Sequence, residues 1–226
     1  MGMFTACTST KTKMTTRANP SVSHLILASS SPRRRELLAT LSLPFTIVKP
    51  EIDETQRPDE APLDYVRRLS VEKAHAAAAQ LDDSAWILAA DTAVILAAGT
   101  MGILDGEILG KPTDAADARA MLTRLRDRSH VVCTALTLLR RKEDGVQAIT
   151  RLTETTVYMR PYGDDEIEAY IASGDPFDKA GSYAIQHAGF RPVARIEGSE
   201  TNVIGLPLET LREMLAEIGR FGLDAG

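Results

Sequence analysis

The sequence predicts a mixed α/β fold, on three observations. Short continuous apolar runs, such as Leu25-Ile26-Leu27-Ala28 and Trp86-Ile87-Leu88-Ala89-Ala90, have the length and character of strands buried on both faces. Longer segments repeat their apolar residues at helical spacing. Two strand-like runs, at about 130–139 and 148–159, flank a charged turn and read as a long antiparallel hairpin.

The first strand leads into Ser29-Ser30-Ser31-Pro32-Arg33-Arg34-Arg35-Glu36-Leu37-Leu38. Ser31 is a good N-cap, Pro32 suits the first helical position, and Leu37, Leu38 and Leu41 give the helix an apolar face. Three arginines in a first helical turn oppose the macrodipole. That cost disappears if an anion sits there, held by backbone N–H groups, the hydroxyls of Ser29 and its neighbours, and the forks of Arg33 and Arg34. Taken alone, the segment fits a phosphate site and a solvated basic turn equally well.

A short strand at 45–48 runs into Glu51-Ile52-Asp53-Glu54, an acidic cluster that is either a solvated turn or a source of ligands for a hard cation. A helix is predicted from Pro62 to about Leu81. Lys73 follows Leu69 by four residues and so shares the apolar stripe, where a lysine either snorkels to the edge or meets negative charge. The run 86–90 ends at Asp91-Thr92, and apolar residues resume at once, which places Asp91 within a sheet region. A carboxylate there needs a partner, and the C-terminal ends of buried strands are where α/β proteins place functional groups. Residues 97–107 read as a hairpin tip, with a return through Ile108-Leu109-Gly110-Lys111-Pro112 to a helix at about 114–126. After the long hairpin come a helix at 163–173 and a polar, glycine-containing segment, 174–186, suited to be a ligand wall. Then come a strand near 193–196, a turn around 198–205, and an amphipathic helix from 207 to about 219.

The bulk numbers set limits. A net charge of −5 and a pI near 5.5 argue against a general binder of nucleic acid or anionic membrane. Two cysteines, Cys7 and Cys133, are too few for a disulfide framework or a cysteine-ligated metal, and Cys133 reads as a buried thiol. No apolar run approaches a membrane span. Residues 1–22, rich in Thr, Ser and Lys and without a hydrophobic stretch, are expected to be a disordered extension, with 23–226 as one folded domain.

The unusual positions are Arg33, Arg34, Glu54, Lys73, Asp91, Lys111, Lys179 and Gln186, a mixture of cations and carboxylates. Hydrolysis of a triphosphate needs such a mixture: cations for the phosphates, carboxylates for Mg²⁺, and a base for the attacking water. Asp91 or Glu54 could be ligand or base. No Walker loop, Rossmann fingerprint or His-rich metal motif is present.

Ordered motifs carry a resemblance: Leu27-Ala28-Ser29-Ser30-Ser31-Pro32-Arg33-Arg34, Ile52-Asp53-Glu54, Leu69-Ser70-Val71-Glu72-Lys73-Ala74, Ala90-Asp91-Thr92, Leu109-Gly110-Lys111-Pro112, and Asp178 to Gln186 followed by Asn202-Val203-Ile204-Gly205-Leu206-Pro207. In these the chain resembles the Maf family of nucleoside triphosphate pyrophosphatases across nearly all of 24–215. The resemblance implies a two-lobed mixed sheet with flanking helices and a central cleft, similar to inosine triphosphatases. It implies hydrolysis of a nucleoside triphosphate to the monophosphate and pyrophosphate with Mg²⁺ or Mn²⁺, by a cytoplasmic homodimer. By the resemblance Asp91 matches the proton acceptor; the expected catalytic residues are Asp91, Glu54, Lys73 and Lys111, with Glu54 and Asp91 as the candidate metal ligands. Ser29, Arg33, Arg34, Thr92, Lys179 and Gln186 are the expected substrate-binding residues, of which Arg33, Thr92 and Gln186 match the family's positions tied to substrate choice. Tyr183-Ala184-Ile185-Gln186 looks like the branch acting on dTTP and UTP. Ala184 and His187 stand where that branch has glycines, so modified pyrimidine nucleotides belong to the expected range. The rival expectation is a nucleotide-binding regulator of septum formation without turnover. A phosphotransferase would need an acceptor pocket that the sequence does not offer.

Overall fold

The computed structural model describes residues 24–81, 85–96 and 107–219. The expected N-terminal extension lies outside these residues, as does the hairpin tip apart from Glu107. The strands are β1 (Leu25–Ala28), β2 (Phe45–Val48), β3 (Trp86–Leu96), β4 (Glu107–Leu109), β5 (Ser129–Lys142), β6 (Gly145–Met159) and β7 (Val193–Glu197). They form one mixed sheet in the order β2-β1-β3-β5-β6-β7, with β4 paired to β3. The helices are α1 (Pro32–Ala39), α2 (Pro62–Ala79), α3 (Ala115–Leu125), α4 (Asp164–Ala172), α5 (Glu200–Ile204) and α6 (Leu208–Glu217), with tight 3-10 turns at Asp175–Asp178 and Ala180–Ser182.

Period-2 alternation sends each strand's side chains to two apolar faces, which is why the first runs read as continuously hydrophobic. From β1 and β3, Leu25, Leu27, Trp86, Leu88 and Ala90 join the core under α1 and α6. Ile26, Ala28, Ile87 and Ala89 join the core under α2. Farther along β3, Ala93 and Ile95 continue on the α2 face. On the opposite face Val94 enters a separate core built with α3 and α4, including Leu122, Tyr162, Tyr170 and Phe190. Ala90 and Val94 therefore belong to different cores of one face, with Thr92 between them. This division is the two-lobed arrangement.

The long hairpin is extended beyond its sequence-based bounds, to Lys142 and from Gly145, with Lys142 opposite Gly145 in the register. One element differs in kind. The segment expected to be only a turn, 198–205, contains α5, because the Ser199 hydroxyl accepts from the Asn202 amide and caps it. Cys133 is buried on β5, and burial pushes its thiol up to about 12.

Candidate active site

The cleft originates in a gap in strand pairing. β1 pairs with β3 from Leu25↔Trp86 to Ala28↔Ala89 and then stops. β4 takes up the same edge only at Val94↔Leu109. Residues 90–93 of β3 thus have β5 on one side and an open edge on the other. Around that edge is a cavity of about 510 Å³. Every position singled out from the sequence lines it: Ser29, Arg33, Arg34, Glu54, Lys73, Asp91, Thr92, Lys111, Lys179 and Gln186.

On the α2 face, Lys73 reaches the open stretch from the helix's buried stripe. Its Nζ lies 2.6 Å from Asp91 Oδ1 and 2.8 Å from Glu54 Oε1. The Lys73 and Asp91 side chains are each only 10% exposed, so this is an interior pair, while that of Glu54 is 55% exposed. Burial raises the Asp91 carboxyl above its ordinary range, against the opposing charges of Lys73 and Arg34. Burial raises Glu54 too, but its hydrogen bond to Lys73 and the charges of Lys73, Lys111 and Arg34 outweigh this and hold it low. Lys73 draws both carboxyls down, and it is their unequal burial that sends them in opposite directions.

The loop carrying Glu54 is tied to α2. Tyr65 Oη donates to the Glu54 carbonyl at 2.9 Å, and Arg68 Nη2 donates to the Thr55 carbonyl at 3.0 Å. Arg68 also clasps Glu60 with Nε to Oε1 at 2.6 Å and Nη2 to Oε2 at 2.8 Å, which pulls that carboxyl down to about 2.

On the other face, Arg34 spans the gap. Its Nη1 donates to the Ala90 carbonyl at 2.8 Å, its Nε to the Gly205 carbonyl at 2.8 Å, and its Nη2 to Thr92 Oγ1 at 3.0 Å. The Ala90 carbonyl thereby gains a partner on the open edge, where a neighbouring strand would otherwise stand. Thr92 Oγ1 also bonds Thr134 Oγ1 at 2.9 Å. Ser31 caps α1 through the Arg34 amide, and Ser29 Oγ accepts from the Ser31 amide at 3.2 Å.

Arg33 points instead toward the segment 174–187, donating to Asp178 Oδ2 at 2.9 Å and the Asp178 carbonyl at 3.3 Å. Lys179 is buried, its Nζ bonded to Asp178 Oδ1 at 2.6 Å, Asp175 Oδ1 at 2.9 Å and the Asp175 carbonyl at 2.6 Å. Lys111 is exposed and, among the described residues, makes no hydrogen bond or ion pair, and neither does the amide of exposed Gln186. The segment docks by the Gly181 amide on the Gly110 carbonyl at 3.0 Å. Gly181 has φ +70, and an added Cβ would meet Val94 Cγ2 at 3.0 Å, so this approach requires glycine.

Several contributors were not singled out as site residues from the sequence, although all but Tyr65 and His130 stood within quoted motifs. Asp178, Tyr65 and Tyr183 line the cleft. Tyr183 Oη lies 2.7 Å from Nε2 of buried His130, whose pKa burial lowers to about 4, leaving the ring neutral near pH 7. Asn202 fastens α5 to the sheet by donating to the Val132 and Thr153 carbonyls. Its place in a motif with Gly205 was the available clue.

Fold and site together define a class: a mixed α/β protein with a cleft at an open strand edge, where carboxylates and clustered cations face a common volume. The sequence comparisons give the family. The model of the family described as Maf-like protein matches residues 24–218, and the chain belongs to that family. It is 47% identical over 191 residues to a dTTP/UTP pyrophosphatase of Desulfotalea psychrophila, covering 84% of this chain and 92% of that one. It is 48% identical over 199 residues to a dTTP/UTP pyrophosphatase of Myxococcus xanthus, covering 88% and 93%. The solved structure of the Ham1 protein of Staphylococcus aureus is a partial likeness, at TM-score 0.41 and 15% identity over 60% of this chain and 71% of that one.

Proposed function

We propose that this protein is a nucleoside triphosphate pyrophosphatase that converts dTTP, UTP and related pyrimidine nucleotides to the monophosphate and pyrophosphate. The observation that carries the reading is buried Lys73, shared between Asp91 and Glu54 at the open edge of β3 within a cleft that Arg33, Lys111 and Lys179 also line. The names of the relatives supply the substrate class. Gln186 supports it, since a free amide can both donate to and accept from a pyrimidine edge.

In this reading the cations of the cleft neutralise the triphosphate, and Asp91 takes the proton of the attacking water. The water oxygen bonds to the α-phosphorus, the bond from that phosphorus to the bridging oxygen breaks, and pyrophosphate leaves with the electron pair. Lys73 orients Asp91 and limits the repulsion between it and Glu54. Among the described residues no group of three or more His, Cys, Asp or Glu side chains is arranged around a metal. Glu54 and Asp91 fit the smaller requirement of Mg²⁺ or Mn²⁺ held by one or two carboxylates together with substrate phosphates. When bound, such an ion supplies charge neutralisation at the phosphate oxygens. A cytoplasmic homodimer belongs to the same reading by family resemblance. Among the described residues, no helix is long and apolar enough to cross a membrane.

The test is pyrophosphate release from a panel of canonical and modified nucleoside triphosphates with Mg²⁺ or Mn²⁺. Turnover of dTTP and UTP is expected. Turnover of purine nucleotides alone would overturn the role given to Gln186, and nucleotide binding without pyrophosphate release would leave a binding protein.

A further inference from the structure

The phosphate-facing wall carries an anion of its own. Asp178 engages two cations at once, with Oδ2 on Arg33 and Oδ1 on Lys179. Asp175 adds a second carboxylate to Lys179 and is itself held by the Tyr170 hydroxyl at 2.8 Å. Two cations thus face two carboxylates, and this group offers a polyphosphate no net positive charge. The members differ in their anchorage. The Lys179 side chain is 8% exposed, whereas that of Asp178 is 59% exposed and lies at the cleft lining. Asp178 also bridges the lobes, since Arg33 stands on α1 while Asp178 and Lys179 belong to the segment docked beside β4.

We infer that Asp178 is a built-in competitor of the substrate's phosphates, occupying Arg33 and Lys179 in the free protein and giving them up when a polyphosphate enters. The inference rests on the proposed triphosphate reading and adds a determinant of specificity to it. A carboxylate carries one charge on two oxygens. A triphosphate or pyrophosphate presents several charges and many oxygens, and it replaces both contacts while adding others. A single inorganic phosphate gains less against the same displacement. Asp178 therefore sets a threshold of ligand charge for entry, and its return to Arg33 and Lys179 favours departure of the product. Its exposure keeps the exchange small in free energy, because ion pairs open to water are weak.

The test is calorimetric binding of pyrophosphate and of inorganic phosphate to the wild type, Asp178→Asn and Asp178→Ser, each checked for a cooperative thermal transition. Both variants should bind pyrophosphate about fivefold tighter than the wild type, the ratio that corresponds to ~1 kcal/mol. The gain for inorganic phosphate should be larger, which narrows the selectivity for the polyanion. Unchanged or weaker pyrophosphate binding in both variants would overturn the inference, as would a gain confined to Asp178→Ser, which would point to bulk and not charge. Turnover of dTTP by the wild type is measured alongside. Turnover with unaltered variant affinity removes the role of Asp178 alone, whereas no turnover and no pyrophosphate binding in any protein removes the triphosphate reading with it.

Discussion

The two walls of the cleft use the same residue types in opposite proportion. On the α2 side, one lysine serves two carboxylates, Asp91 and Glu54, and a negative charge is left over. On the α1 side, Arg33 and Lys179 are matched by Asp178 and Asp175, and Arg34 is held by neutral acceptors. Lys111 is exposed and unpaired among the described residues. The first wall calls for a cation and the second exchanges an internal anion for an external one. A metal-bound polyphosphate satisfies both at once, which neither a bare metal nor a bare phosphate does.

The sharpest way to break this comparison is at the first wall. Asp91→Asn keeps the shape and the neighbours but removes the proposed proton acceptor, and kcat for pyrophosphate release should fall by about 10²–10⁴ with little change in KM. A variant that keeps a tenth of the wild-type kcat would show that Asp91 is not the base. Lys73→Met should cost about 3 kcal/mol of unfolding free energy, because it leaves buried Asp91 and neighbouring Glu54 without their counter-charge. Added Mn²⁺ should restore much of the urea midpoint by taking the place of the ammonium. A midpoint that matches the wild type, or that ignores Mn²⁺, would mean the two carboxylates do not define a cation site.

Arg33 and Arg34 are adjacent in sequence and opposite in duty. Arg34→Met strands the Ala90 and Gly205 carbonyls and should cost about 2 kcal/mol. Arg33→Met removes only a pair with exposed Asp178 and should cost less than about 0.5 kcal/mol. Equal losses in chemical denaturation would erase this distinction between a strut and a ligand-facing group.

That distinction also marks where legibility ended. The strands and longer helices were readable because burial leaves a periodic apolar trace, and Lys73 and Asp91 stood out by interrupting it. The gap at 90–93 was not readable, because it depends on where β1 stops in the register of β3 and where β4 begins. Arg34 was singled out as a phosphate partner, but its bonds to the Ala90 and Gly205 carbonyls were not readable, because backbone acceptors leave no mark in a sequence. Asp178 entered only as the first residue of a motif, since its partner Arg33 lies 145 residues away along the chain. α5 was missed because five residues between Gly198 and Gly205 resemble a turn until Ser199 is seen to cap them.

The smallest effect expected concerns how Glu54 comes to face Lys73. Tyr65→Phe deletes only the hydroxyl that donates to the Glu54 carbonyl. The Mn²⁺ concentration for half-maximal rate should rise about threefold, as loss of ~0.6 kcal/mol from one hydrogen bond implies, with the thermal midpoint nearly unchanged. An unaltered Mn²⁺ requirement would show that Glu54 finds its place without this tether. The second tether has its own signature in pH. Arg68 holds the Glu60 carboxyl down to about 2, below its unfolded value, so the clasp stabilises the loop fully above about pH 4.5 and loses that contribution as pH falls through 2. Pepsin should therefore cut within residues 51–60 of the wild type only as the pH approaches 2. It should already do so at about pH 4 in Arg68→Ala, where the clasp is missing at every pH. Cleavage of both proteins with the same pH profile would place the hold on this loop in α2 packing and not in the guanidinium.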